Sequence, residues 1–174
     1  MDAPVQFQFP KKPAAAKALS SWMADRKKAK QKDEVHGYIE SYLTAKGVPR
    51  PVKVHEDDGW HFLILGSARG RVGFVEEAGD LYLHVDALLL DKLPSDQDLM
   101  LALMRELLEL NASLPDAIRL VIANEMVFVM ASRRLTDLSK SEVQESIESV
   151  MAIADALDNT FIEKYARTSR QRKA

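Results

Sequence analysis

The chain has 174 residues, 47% of them hydrophobic and 29% charged, which suits one domain with a real core and is too short for two full-sized ones. It has no cysteine, so disulfides, a thiolate nucleophile, Cys-ligated zinc and iron–sulfur clusters are excluded. The net charge of −2 hides an asymmetry: residues 1–32 carry +6, residues 164–174 carry +5, and the stretch between them carries −13. No apolar run approaches the ~20 residues of a membrane-spanning helix. The opening MDAPVQFQFPKKP has no apolar signal core, so the expected compartment is the cytosol.

Along the chain, residues 1–12 show no periodicity and are expected to be disordered. Pro13 opens an Ala-rich, basic stretch of helix formers with few apolar anchors, which is marginal as a lone helix. We therefore expect a basic, partly disordered or helical arm over 1–32, a folded body over 33–166 and a basic disordered tail over 167–174. From Asp33 the pattern sharpens. Val35, Tyr38, Ile39, Tyr42 and Leu43 share one helical face, and Gly47 with Pro49 and Pro51 ends it. The period then changes to two. VKVH (52–55), WHFLIL (60–65), RVGFVE (71–76) and LYLHVDALLL (81–90) read as strands, separated by EDDG, GSARG and EAGD turns. Whether 52–55 stands alone or leads into the next strand is left open by the pattern.

Pro94 and Ser95 open a second helix, with Ser95 as the expected N-cap and Asn111 as the stop. AIRLVI (117–122) and MVFVMA (126–131) read as a hairpin. Ser139 and Glu142 form a capping-box pattern ahead of a stripe from Val143 to Tyr165, predicting a helix from Ser139 to about Ala166. The order α-βββ-α-ββ-α implies an α+β domain with an antiparallel sheet of about five strands and helices packed on it.

The second helix is apolar over an arc of about 200°, roughly twice what one neighbour covers. Met100, Leu103, Met104, Leu107 and Leu108 are the residues expected to pair with a second copy, because a two-fold dimer is the commonest cover for such a face. Trp60, Phe62, Phe74 and Tyr82 on the strands are candidate contacts for an extended partner, with burial in the core as the plainer reading.

Catalytic signatures are missing. None of the four histidines falls at HxH, HxxxH or HExxH spacing, so no metal site is assigned and no cofactor is expected. His61 and His84 are expected on the wetter face of the sheet, His84 sharing it with Asp86. The Gly-rich segment 66–73 lacks the GK[ST] of a P-loop and joins two strands rather than opening a helix. Arg69 and Arg71 in it, with Arg133 and Arg134, are the candidate anion contacts. No GxSxG motif is present, and the adjacent acid pairs lie in turns.

The element order and the run LPSDQDLMLALMRELLELNASLPDAIRLVIANEMVFVMASRRLTDLSKSEVQESIESVMAIADAL resemble the type III secretion chaperone-like fold, and within it the YbjN-like family. The likeness covers about 33–166 and rests on topology, the Leu110-Asn111 junction and the Ala154-Asp155 pair. It implies a homodimeric, non-enzymatic protein that binds an extended segment of a protein partner. The basic arms and the pI of 6.1 depart from the small acidic chaperones of that fold. The alternative reading is a regulator that binds nucleic acid or a small anion through the arms or the Gly-Arg segment.

Overall fold

The computed structural model describes residues 14–47, 60–115, 117–136 and 138–167. The expected strand at 52–55, residues 1–13 of the N-terminal arm with their expected disorder, and residues 168–174 of the tail lie outside these residues. Three helices and a five-stranded antiparallel sheet follow in the expected order, with the sheet arranged β1-β2-β3-β5-β4.

Helix α1 (Ala14–Ala45) is longer than the pattern suggested. It runs unbroken through the expected boundary at residues 32 and 33. Its last turns bury Val35, Ile39 and Leu43, while Tyr38 and Tyr42 are half-buried. Its earlier turns are held from the side: Lys28 Nζ donates to Glu76 at 2.7 Å, and the Lys32 ammonium sits 5.7 Å from the Phe74 ring centre. Part of the basic arm thus pairs with the acidic body inside one chain. Gly47, with φ of 65°, follows the helix.

Strands β1 (His61–Leu65), β2 (Ala68–Glu77) and β3 (Asp80–Leu90) form a meander. The expected GSARG turn contracts to Gly66-Ser67, because Leu65 pairs with Ala68 and the rest of the segment becomes strand. Gly66 has φ of 57°, and a Cβ there would fall within 2.2 Å of the Asp155 carboxylate, so only glycine fits. Ala78 and Gly79, then Asn124 and Glu125, have positive φ at the two central positions of two-residue hairpins, matching the right-handed strand twist.

Helix α2 (Gln97–Asn111) starts one residue later than expected. Asp96, not Ser95, is the N-cap, accepting from the Asp98 and Leu99 amides at 3.0 and 3.1 Å. At the other end, the Asn111 side chain bonds both the amide and the carbonyl of Leu120 on the edge strand β4 (Ile118–Ala123), at 2.8 and 3.0 Å. The Leu-Asn junction thereby ties the helix to the sheet, since Leu110 packs on the core while Asn111 satisfies a strand edge. Strand β5 (Met126–Arg134) lies between β4 and β3, with a register shift at Leu88–Leu90.

Helix α3 (Lys140–Phe161) has both halves of the expected Ser139–Glu142 capping box. Its stripe crosses β1, β2, β3 and β5. Beyond Phe161 the chain widens into a π-helical segment, Ile162–Arg167, that carries Tyr165 into the interior. Gly70 lets α3 approach: a Cβ there would lie 2.6 Å from the Asp86 carbonyl and 2.7 Å from Met151 Sδ. Gly70→Ala should therefore destabilise the fold by about 1–3 kcal/mol through overpacking, read as a lower urea midpoint at unchanged m.

Candidate protein-binding surfaces

The two faces of the sheet have different fates. Register alternation places His61, Leu63, Gly70, Val72, Leu83, Val85, Val129 and Ala131 on one side, where they are buried beneath α1 and α3. Phe62, Arg69, Arg71, Val75, Tyr82, His84 and Asp86 point to the other side. That second face is only partly covered: Phe62 and Val75 are exposed, Ile64 is 72% exposed, and Tyr82, Phe128 and Met130 are half-buried.

Three of the four aromatic candidates meet on this open face. Trp60 lies against Gly73, whose missing Cβ would fall 2.5 Å from the indole. The Arg71 guanidinium stacks 4.7 Å from the Trp60 ring centre and bonds both oxygens of the buried Asp86 carboxylate, at 3.0 and 2.9 Å. His84 Nε2 approaches the same carboxylate at 3.3 Å. Phe74 is the exception. It sits on the helix side and is buried, because β2 alternation sends it the opposite way from Gly73 and Val75.

His61 also departs from expectation. It has apolar neighbours on both sides, so the sequence gives no parity, and β1 turns it under α1 rather than to the wet face. His84 lies on the expected face beside Asp86.

The basic candidates do not converge. Arg71 is held by Asp86, Arg134 by Asp80 at 3.0 Å, and Arg133 faces Glu142 at 3.6 Å. Arg133 and Arg134 are adjacent on β5 and point to opposite faces, while Arg69 is exposed near the far end of the sheet. The Gly66-Ser67 turn holds a carboxylate of its own: Asp155 accepts from the Ser67 amide at 2.9 Å and from its hydroxyl at 3.2 Å. The Ser67 donors at this hairpin turn are thus engaged by an acid of the same chain.

Helix α2 divides the apolar arc read from its sequence. Leu103 and Leu107 are fully covered by the chain's own core, so these two leave the list of pairing residues. Met100 is half-buried. Leu101, Met104 and Leu108, spaced i, i+3 and i+7, form an exposed stripe at 59%, 44% and 72% exposure. Ile122 on the adjacent β4 is exposed as well. The periodicity contained Leu101 and Ile64, but a helical arc alone does not tell which residues the sheet takes.

On the other flank of α2, a groove of about 520 Å³ is lined by Ala102, Arg105, Glu106, Glu109, Leu110 and Lys164. Its charges are internally paired: Arg105 donates to Glu109 at 2.7 Å, and Glu106 accepts from Lys164 and from the Tyr165 hydroxyl. Partial burial opposes ionisation of Glu106, but these two donors outweigh it and hold its carboxyl below the ordinary value.

Among solved structures, a chain of the ExsC–ExsE complex superposes with a TM-score of 0.55 at 13% identity, covering 74% of this chain and 93% of that one. The fold is that of the type III secretion chaperones. The Yersinia pestis type III secretion chaperone SycH, solved with a stable fragment of YscM2, gives 0.49 at 13% identity over 71% and 98% of the two chains. A chain of the HopA1–SchA chaperone–effector complex gives 0.48 at 13% over 71% and 95%. None of the three bears the YbjN-like name. No family model and no curated protein matches the sequence. Among the described residues, no helix is long and apolar enough to cross a membrane.

The Glu106 contact has a pH signature. A carboxyl held low in the folded state stabilises fully above its unfolded value near 4.5 and loses that contribution as the pH falls through the folded value. Glu106→Gln should cost about 1–3 kcal/mol at neutral pH and flatten the acid limb of a urea stability–pH profile below pH ~4.5. Glu109→Gln, at the exposed Arg105 pair, should leave both nearly unchanged.

Proposed function

We propose that the protein is a non-enzymatic, cytosolic, homodimeric chaperone-like module that binds an extended segment of a protein partner. The observation that carries this reading is the Leu101–Met104–Leu108 stripe, left outside after Leu103 and Leu107 have been taken into the core. Apolar area of this kind on a helix is the raw material of a self-complementary interface.

The magnitudes put pairing close to balance. A two-fold contact removes eight partly exposed side chains from water, Leu101, Met104, Leu108 and Ile122 from each copy. At about 1 kcal/mol for each half-exposed side chain the gain is near ~8 kcal/mol, within the 4–15 kcal/mol that association costs. The dimer therefore depends on each member of the stripe.

The partner would lie on the open sheet face, where Trp60, Phe62, Ile64 and Tyr82 offer apolar and aromatic surface at strand spacing and β1 is an outer strand of the described sheet. The fold shared with the ExsC–ExsE structure supports this reading. The alternative of a small-anion site at Arg69, Arg71, Arg133 and Arg134 has less support, because three of these four arginines are engaged by carboxylates.

Light scattering on the purified chain should give twice 19.5 kDa, and Leu108→Asp should give 19.5 kDa with an unchanged circular dichroism spectrum. A wild-type monomer, or a Leu108→Asp dimer, overturns the pairing. For the partner surface, a photo-cross-linking residue at Ile64 should yield the same discrete protein adduct in wild type and Glu77→Gln. Phe62→Lys should abolish it. Adducts insensitive to Phe62→Lys count against the open face.

A further inference from the structure

Helix α1 and strand β1 bring together three side chains that the dimer and partner surfaces do not use. His36 and Glu40 stand one helical turn apart on the same face of α1, and His61 opens β1 directly beneath them. Glu40 Oε1 lies 3.6 Å from His61 Nδ1 and 3.9 Å from His36 Nε2. The three ligand atoms all fall within 4.8 Å of one another, and the imidazole centres are 5.0 Å apart at a 46° tilt. We propose that His36, Glu40 and His61 form a binding site for a divalent transition-metal ion, zinc fitting best, that clips α1 to the edge strand β1.

The donor set decides the class of ion. Two imidazoles and one carboxylate suit zinc and its neighbours, whereas calcium and magnesium demand oxygen ligands throughout. Bonds of about 2.0–2.2 Å in a tetrahedral arrangement place ligand atoms roughly 3.3–3.5 Å apart. The Glu40–His61 distance is within a few tenths of an ångström of that, and the wider pairs need inward movement of up to about 1.5 Å.

The site divides that movement unequally. His61, with its side chain 2% exposed, is fixed by the packing around it. His36 and Glu40, at 39% and 42%, border solvent and are free to swing onto the ion. With three ligands from the described residues, the solvent side keeps a fourth position for water.

Such an ion would tie residues 36 and 40 to residue 61 and so restrain α1 against the sheet, stabilising the folded state by mass action.

The test uses the untagged full chain, stripped with a chelator and titrated with zinc sulfate against a chromophoric competitor at about pH 7.5, above the imidazole range. One zinc per chain should bind, and the melting temperature should rise with added zinc. His36→Ala and Glu40→Gln, both surface changes, should each weaken binding at least ~10-fold and remove the thermal shift. His84→Ala should do neither. Cobalt(II) in place of zinc should show visible ligand-field bands that change in His36→Ala. Failure of the wild type to take up stoichiometric zinc overturns the site, as does equal affinity in wild type, His36→Ala and Glu40→Gln, which would put the ion elsewhere.

Discussion

The structure depends on the packing of one long helix, α3, across one face of the sheet. Val143, Ile147, Val150, Met151 and Ala154 are buried against strands whose facing positions are small or branched: Gly70, Val72, Val85, Ala87 and Val129. Gly70 sets the separation, since even a methyl group there meets a backbone carbonyl and a methionine sulfur. With α1 laid beside α3 on the same side, both long helices serve one face. The opposite face keeps its aromatic and aliphatic residues partly wet.

That imbalance links fold to proposed role. A domain that covered both sheet faces would have little left to offer a partner. Here the open face is ordered by polar contacts rather than by a helix: Asp86 binds Arg71, Arg71 stacks on Trp60, and Trp60 fills the space above Gly73. Half-buried aromatics held in place in this way form a pre-organised surface, which lowers the entropy lost on docking. The exposed stripe of α2 is a second product of one-sided packing, because the sheet takes only Leu103 and Leu107 from a helix that is apolar over more than half its circumference.

The terminal charge has a more local meaning than the composition suggested. Lys28 is raised above its ordinary value first of all by its hydrogen bond to Glu76, with burial acting against that, and Lys46 pairs with Glu148 of α3 at 3.0 Å. Lys164 reaches Glu106 on α2. Lys28 and Lys164 of the terminal segments, and Lys46 within the body, are thus engaged with carboxylates of the same chain. Arg71, Arg133 and Arg134 follow the same pattern: read in the sequence as anion contacts, they are in this fold fasteners between neighbouring elements.

The sequence by itself determined the secondary elements, their order and the antiparallel hairpins, because these follow from local periodicity, turn chemistry and caps such as Ser139 with Glu142. It also marked α2 as too apolar for one neighbour. It did not determine which half of that arc the sheet would take, nor the parity of β1, since His61 has apolar residues on either side. It extended α1 only from Asp33, because Lys28 and Lys32 gain their partners, Glu76 and Phe74, from a strand more than 40 residues away. The grouping of His36, Glu40 and His61 was equally hidden: its i, i+4 half is local, but the third ligand arrives only when β1 folds under α1. Faces, partners and sites depend on contacts between distant segments, and only the packed tertiary structure decides those.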